Sequence, residues 1–312
     1  MHKGHLEVTL LNEHYEHLQD DLKHALLDKS QLKKEAKEEK EKAKLEKKAR
    51  KNKETEDVIK PRVFVLDFHG DIKASAVKSL REEITAVLSL ADKEKDEVVV
   101  RLESGGGMVH SYGLASSQLK RIRDKGVKLT VTVDKVAASG GYMMACVAHH
   151  IVAAPFAVLG SIGVMAQLPN VHRLLKKHDI DIELHTAGEY KRTLTMLGEN
   201  TEKGRQKFIQ DMEDTHELFK DFVKGEREVV DIDKVSTGEI WYGQKALSLN
   251  LIDEISTSDE YIYQKVDEAD LVHVEYVVKK GVTDKLGLAA ESALDNTLMR
   301  WWGRFNTSRF FS

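Results

Sequence analysis

Ser139 stands at a break between two apolar runs, residues 129–133 and 142–147, and its immediate neighbours are Ala137, Ala138, Gly140 and Gly141. Small residues let the backbone or a substrate come close, and the N–H groups at the start of a helix point into one space. A serine nucleophile with an oxyanion donor needs that arrangement. Ser139 could equally be a helix N-cap, with the glycines serving packing. The turn alone leaves both interpretations open.

A serine hydroxyl becomes a nucleophile only when a base accepts its proton. His149 and His150 follow Ser139 by ten and eleven residues, which places them about 15 Å away at the far end of the predicted helix. Lys191 follows by 191 − 139 = 52 residues, next to small residues. A lysine base must be uncharged, so burial has to lower the ordinary pKa of about 10.4 by roughly 3 units. Ser161, which lies between two glycines, suits a hydrogen bond to such a lysine.

Other nucleophiles have weaker support. Three further serines precede a lysine by three positions, but all lie on predicted solvated helices without a glycine-rich loop: Ser30–Lys33, Ser75–Lys78 and Ser117–Lys120. Cys146 lies inside an apolar run, which indicates a buried, inert thiol.

Two patterns resemble ligand sites but lack the residues that would complete them. Gly105–Gly107 could hold a phosphate, yet neither a Gly-Lys-Ser/Thr ending nor a G-x-G-x-x-G spacing is present. Four histidines could place a metal on a helix face, but no carboxylate or cysteine framework accompanies them: His2, His5, His14 and His17.

Composition excludes several classes of protein. The 312 residues carry a net charge of −4. Residues 29–57 hold twelve Lys/Arg against eight Asp/Glu, so the remainder carries −4 − (+4) = −8, which argues against nucleic acid as a partner. A lone cysteine excludes an internal disulfide. Since no run approaches the 18 to 20 apolar residues of a membrane span, the chain as given is expected to be soluble.

Apolar runs at 63–68, 98–102 and 129–133 predict buried strands, and helices are predicted from Ser75 to about Asp92 and from the glycine loop to about Arg123. This alternation predicts a parallel α/β array in which both loops face one pocket.

Further along the chain we expect a strand at Leu159–Val164, a helix at Asn170–His178, a strand at Ile182–His185, and a helix capped by Asn200 or Thr201 that runs to Glu228.

Residues 62–255 resemble the signal peptide peptidase A family of membrane-associated serine peptidases. The motifs that carry the resemblance are residues 103–109, Ala137–Tyr142, Gly160–Val164, Tyr190–Lys191 and Gly238–Asp253.

The resemblance implies a ClpP/crotonase-like α/β fold of stacked ββα units. It also implies Ser139 as nucleophile, Lys191 as base, Ser161 as the residue that orients the lysine, and the N–H groups of Gly106 and Gly140 as the oxyanion hole. Neither a cofactor nor a metal is expected.

The same resemblance implies peptide substrates, a homo-oligomer, and a place on the periplasmic side of the inner membrane through an anchor missing from this chain. We therefore expect a truncated form with a charged N-terminal extension at 1–60, which is a helical or disordered tether, a peptidase domain at 61–275, and a C-terminal tail at 276–312 that contacts another subunit or a membrane surface. One motif departs from the family, which has Ser-Pro-Gly-Gly where this chain has Ser104–Gly107. The missing proline predicts a looser oxyanion loop.

The function expected from these residues is serine endopeptidase activity, through an acyl-enzyme, on extended apolar peptides such as signal-peptide remnants or misfolded membrane-protein segments. Two alternatives remain open. One is an inactive scaffold of the same fold, and the other is a crotonase-type acyl-CoA enzyme that would not need Lys191.

Overall fold

The computed structural model describes residues 4–28, 30–34, 37, 40, 41, 44 and 60–278. Residues 45–59 of the predicted tether, almost all of the C-terminal tail and His2 lie outside the described residues. The chain divides into two units, one of residues 1–7 with 276–312 and one of Val8–Glu275. The described residues of the first unit are 4–7, which belong to strand β1 (Gly4–Leu10), and 276–278, which belong to strand β10 (Asp270–Val278). The predicted functional residues all lie in the second.

The second unit is built on a parallel sheet in the order β10-β2-β3-β4-β6-β9. Besides β10, its strands are β2 (Arg62–Gly70), β3 (Glu97–Ser104), β4 (Lys128–Val133), β6 (His150–Ala153) and β9 (Glu254–Ile255). The three predicted strands at 63–68, 98–102 and 129–133 are thus confirmed. They were recognisable because strands buried on both faces consist of continuous apolar runs.

Three short strands extend the sheet beside the end of β3: β5 (Val136–Ala138), β7 (Val158–Gly160) and β8 (Ile240–Tyr242). Ala137 pairs with Ser104 of β3, and Ala138 pairs with Gly160 of β7. This branch brings the residues around Ser139 and Ser161 side by side.

Nine helices begin and end among the described residues: α1 (Leu11–Leu26), α2 (Val77–Leu88), α3 (Val109–Asp124), α4 (Gly140–Ala145), α5 (His172–Lys177), α6 (Glu202–Glu226), α7 (Ile232–Val235), α8 (Gly243–Ser248) and α9 (Ser258–Tyr263). The predicted helices at 75–92, 109–123 and 201–228 are confirmed, and the Thr201 hydroxyl caps α6 by accepting from the Gly204 N–H. Helix α1 is held to the body because the Asn12 amide donates to the Val266 and Ala269 carbonyls at 2.9 and 3.0 Å.

The sheet has an apolar core on each face. One face carries Leu66, Val100 and Val131 together with α2, α3 and α4. The other carries Val65, Val99 and Tyr261 in a smaller cluster. Alternation along each strand therefore decides which side chains reach which face.

Several predicted elements differ from the structure. Residues 182–185 form no strand, the helix expected at 170–178 covers only His172–Lys177, and the strand expected at 159–164 ends at Gly160. The first error has a physical reason: residues 181–192 are exposed, so the alternating pattern there has no sheet edge to pair with. Within the described part of the chain, no helix combines the length and the apolarity needed to cross a bilayer.

Candidate active site

Ser139 connects β5 to α4 through a strained backbone, with φ 52° and ψ −120°. This φ lies in the left-handed region, which a side-chain-bearing residue adopts only when its surroundings impose it. Two backbone hydrogen bonds hold Ser139 in this conformation. The Ser139 N–H donates to the Gly160 carbonyl at 2.8 Å, and the Ser139 carbonyl accepts from the Met143 N–H at 3.0 Å. The half-buried serine is therefore held at a sharp strand-to-helix turn, the local structure that a nucleophile requires.

Ser161 occupies a second strained turn directly beside the first. Its φ is 51° and that of the preceding Gly160 is 88°. The Ser161 N–H donates to the Glu239 carbonyl at 2.6 Å. A Cβ on Gly160 would lie 2.7 Å from Cδ1 of Trp241, so the indole packs against the bare glycine and fixes this turn.

The glycine-rich loop approaches Ser139 at Gly106, whose φ is 88°. A Cβ on Gly106 would lie 2.7 Å from the Gly140 nitrogen and 2.8 Å from the Ser139 Cβ. Only glycine fits there, for reasons of both space and φ. The structure thus brings together Gly106, Ser139 and Gly140, which is the approach that an oxyanion hole needs.

A hydrogen-bonded relay that was not predicted from the sequence supports this loop. The Gly106 N–H donates to the Ser104 Oγ at 3.1 Å, Ser104 Oγ and the Tyr112 hydroxyl are 2.5 Å apart, and the Tyr112 hydroxyl donates to the Asp71 carbonyl at 2.7 Å. Because the tyrosine proton is used on Asp71, the Ser104 hydroxyl must donate to Tyr112. Each group in the relay therefore donates to the next one, from Gly106 through Ser104 and Tyr112 to Asp71. As a result, the Gly106 N–H points toward Ser104.

The structure does not bring Lys191 to the two serines. Its side chain is exposed, and among the described residues no hydrogen bond or ion pair joins its amine to Ser139 or Ser161. Its backbone N–H closes a turn on the Gly188 carbonyl at 3.2 Å. The apolar pocket expected around this lysine is absent from the described part of the single chain, so its role as base stays a prediction.

The other candidates are engaged elsewhere. His149 Nδ1 accepts from the Leu129 N–H at 3.0 Å, and burial and the charge of Arg123 lower its pKa. His150 contacts Glu254 at 2.9 Å. Burial raises the pKa of the Cys146 thiol far above its usual range, as expected of a buried and unreactive cysteine.

Family models cover most of the chain. The model of peptidase family S49 matches residues 121–272, and the model of the peptidase family S49 N-terminal region matches residues 1–119. The resemblance drawn from the motifs is thereby confirmed.

Similar proteins include several that are named SohB. "Probable protease SohB" of Haemophilus influenzae is 56% identical over 303 residues, which cover 96% of this chain and 86% of that protein. "Probable protease SohB" of Buchnera aphidicola subsp. Acyrthosiphon pisum is 54% identical over 241 residues, covering 77% of this chain and 71% of that protein.

Among solved structures, the chain is similar to the 1510-N membrane-bound stomatin-specific protease in complex with a substrate peptide. The two share 13% identity with a TM-score of 0.45, covering 73% of this chain and 96% of that one.

Proposed function

The chain belongs to peptidase family S49, and from that premise we propose that it is a serine endopeptidase with Ser139 as its nucleophile. The observation that supports this most strongly is the strained backbone of Ser139, φ 52°, packed against Gly106 and Gly140. Strain of this kind persists at functional sites because the surrounding structure compensates for it.

In the proposed reaction the Ser139 Oγ attacks the peptide carbonyl carbon while a base accepts its proton. The tetrahedral intermediate collapses, the C–N bond breaks, and the amine leaves with that proton. Water then hydrolyses the acyl-enzyme and restores the hydroxyl. Gly140 is the first residue of α4, where N–H groups have no partner within the helix, so its N–H can donate to the oxyanion. Gly106 supplies the second donor once its N–H turns away from Ser104.

Lys191 is the proposed base, and we propose that it reaches a serine in a second copy of the chain. Its segment carries large apolar side chains that the single chain leaves exposed, as a contact surface would. They are Met165, Leu174, Ile180, Ile182, Leu184, Met196 and Leu197. Packing of this segment against a partner would bury the lysine as well, which is the condition for an uncharged amine. Ser161 is proposed to accept or donate the hydrogen bond that orients it.

The substrate class is proposed to be extended apolar peptides, including remnants of signal peptides and segments of misfolded membrane proteins. Support comes from Met108 and Val109, which follow the glycine loop and are exposed. Periplasmic attachment to the inner membrane and a ClpP/crotonase-like arrangement of ββα units remain proposals drawn from the family resemblance. The branch formed by β5, β7 and β8 is consistent with that arrangement.

Kinetics of two variants test the dyad. We expect Ser139→Ala and Lys191→Ala each to lower kcat/KM on fluorogenic peptides by at least about 10³-fold. Lys78→Ala, a change in an exposed lysine of α2, is the matched control and should keep the wild-type rate. Undiminished turnover in either dyad variant would refute the assignment.

Mixing the two inactive variants tests where the lysine acts. If Lys191 serves a neighbouring subunit, mixed oligomers contain pairs of an intact serine and an intact lysine, and part of the activity returns. If it acts within its own chain, every site in the mixture lacks one group. A mixture as inactive as its components, in oligomers shown to exchange subunits, would contradict the second-copy proposal.

Two observations favour a second candidate function, an inactive scaffold that binds peptides without cutting them. In the single chain Lys191 is exposed and the Gly106 N–H is used by Ser104. If the protein is such a scaffold, the wild type and Ser139→Ala should bind a peptide with equal affinity, and neither should hydrolyse it.

A further inference from the structure

A row of three polar residues crosses the sheet on the face opposite α2, α3 and α4. Asp67 of β2 is in register with Arg101 of β3, and Arg101 is in register with Thr132 of β4. Their neighbours in sequence, such as Leu66 and Val131, point into the core on the helix-covered face. Since side chains alternate along a strand, the three polar side chains share the other face.

This row lines a cavity of about 290 Å³ at the carboxyl edge of the sheet, close to the lower limit of typical ligand pockets. Its lining also includes Glu103, Asp134, Ser258 and Asp259. Glu103 directly precedes Ser104 of the relay, and Asp134 lies 139 − 134 = 5 residues before Ser139. The cavity therefore lies at the same carboxyl edge of the sheet as the proposed catalytic turn.

The cavity has an excess of negative charge. Arg101 is committed to Asp67, with Nε–Oδ1 and Nη2–Oδ2 distances of 2.5 and 2.7 Å. Glu103 has Lys135 at 3.0 Å. Within the part of the chain that the structure describes, no cation lies within 4.0 Å of Asp134 or Asp259. Asp134 accepts hydrogen bonds from the N–H and the hydroxyl of Ser258 at 2.8 and 2.5 Å. These bonds leave its negative charge without a neighbouring cation, so the two carboxylates favour a ligand that brings positive charge.

Thr132 is a second, independent observation that points to a ligand. The residue is 1% exposed, and its Oγ1 has no hydrogen-bond partner among the described residues. A buried hydroxyl without a partner costs about 1–3 kcal/mol, so such groups are uncommon unless water or a ligand satisfies them. Thr132 itself lines the acidic cavity.

We propose that this cavity binds a small organic cation, an ammonium or guanidinium group, which pairs with Asp134 and Asp259 and hydrogen-bonds to Thr132. An organic cation is favoured over a metal ion because the described residues contain no cluster of three His, Cys, Asp or Glu side chains arranged to hold one. The cation can come from a free amine or from a basic residue of a bound peptide. Only the peptide source rests on the proposed function.

Calorimetry of the full-length Ser139→Ala variant with n-butylguanidinium tests the site directly, with the uncharged n-butylurea as the matched control ligand. We expect the cation to bind at least about tenfold more tightly than the urea, because only the cation pairs with the carboxylates. Equal affinities would overturn the proposal.

Two further substitutions locate the binding. Asp259→Asn should weaken n-butylguanidinium binding by about tenfold. Thr132→Val should weaken it by about fivefold without lowering the urea midpoint, because valine replaces an unpaired hydroxyl by a methyl group of the same shape. Glu94→Gln, at an exposed carboxylate outside the cavity, is the control and should bind as before. Unchanged binding by both cavity variants would overturn the assignment.

Peptide hydrolysis by the otherwise unaltered enzyme distinguishes the sources. If a basic residue of the substrate enters the cavity, kcat/KM favours lysine over norleucine at one position of a peptide series, and Asp259→Asn removes that preference. If a free amine is the ligand, the series shows no preference although n-butylguanidinium still binds. If no peptide is hydrolysed, the proposed function fails, while calorimetry decides the cation site on its own.

Discussion

Removing the Tyr112 hydroxyl should destabilise the folded state more than its small size suggests. Tyr112 is fully buried and Ser104 is 2% exposed. Their hydroxyls form the middle of the relay from Gly106 to Asp71, with contacts of 3.1, 2.5 and 2.7 Å. Tyr112→Phe leaves the buried Ser104 hydroxyl without an acceptor, whereas the exposed Asp71 carbonyl still accepts from the Ala74 N–H at 3.0 Å. One buried group that loses its partner costs about 1–3 kcal/mol, so the expected decrease in unfolding free energy is about 1–3 kcal/mol.

Urea denaturation at 25 °C measures this decrease, and the double variant shows whether the relay is a unit. Ser104→Ala removes the donor that Tyr112→Phe would leave unpaired, so Ser104→Ala/Tyr112→Phe should cost at least about 0.5 kcal/mol less than the sum of the single changes. Tyr263→Phe, at an exposed tyrosine, serves as the control, with a change within about 0.5 kcal/mol. A Tyr112→Phe variant as stable as the control, or strictly additive single changes, would refute the reasoning.

Three further predictions concern the loop and the sheet. Gly105→Pro restores the family's residue at a position with open space and no left-handed φ, so it should raise the unfolding free energy by about 0.4–1 kcal/mol; a lower melting temperature would contradict this. Gly106→Ala should lower kcat/KM at least about 100-fold, since its Cβ would lie 2.7 Å from the Gly140 nitrogen; a wild-type rate would show that the loop is not part of the site. Asp67→Asn should lower the unfolding free energy by about 2 kcal/mol at pH 7. Burial opposes ionisation of Asp67, yet hydrogen bonds from His273 and Arg101 outweigh burial and lower the pKa of Asp67 from 3.8 to about 2. This stabilisation is present above pH 4 and lost as the pH falls toward 2, so a cost that urea denaturation finds equal at pH 7 and pH 2.5 would contradict it.

The sequence predicts the central strands and helices because short stretches of sequence, such as apolar runs and helix caps, indicate which residues are buried and where a helix begins. Val98, Val99 and Val100 are apolar on both faces of a parallel strand, and Thr201 precedes a helix that its hydroxyl caps. Ile182–His185 has the alternation of a strand as well, but a strand also needs a neighbour, and no local pattern supplies one. The sequence thus indicates elements better than it indicates pairings.

The candidate site is predictable to a similar degree. The small residues around Ser139 and Ser161 indicate tight turns, and the structure places these turns next to each other. The relay could not be found this way, because Tyr112 has the pattern of an ordinary core residue of a helix and its contact with Asp71 spans 112 − 71 = 41 residues. Nor does a spacing of 52 residues indicate whether Lys191 serves its own chain or a neighbouring one.

The central claim, that Ser139 is an activated nucleophile, is tested most directly by labelling with a serine-directed phosphonate, followed by mass spectrometry of the digested protein. The account predicts one adduct per active site, attached to Ser139, absent from Ser139→Ala and strongly reduced in Lys191→Ala. A wild-type protein that stays unlabelled under conditions where it is folded and oligomeric, or one labelled at another serine, would contradict it.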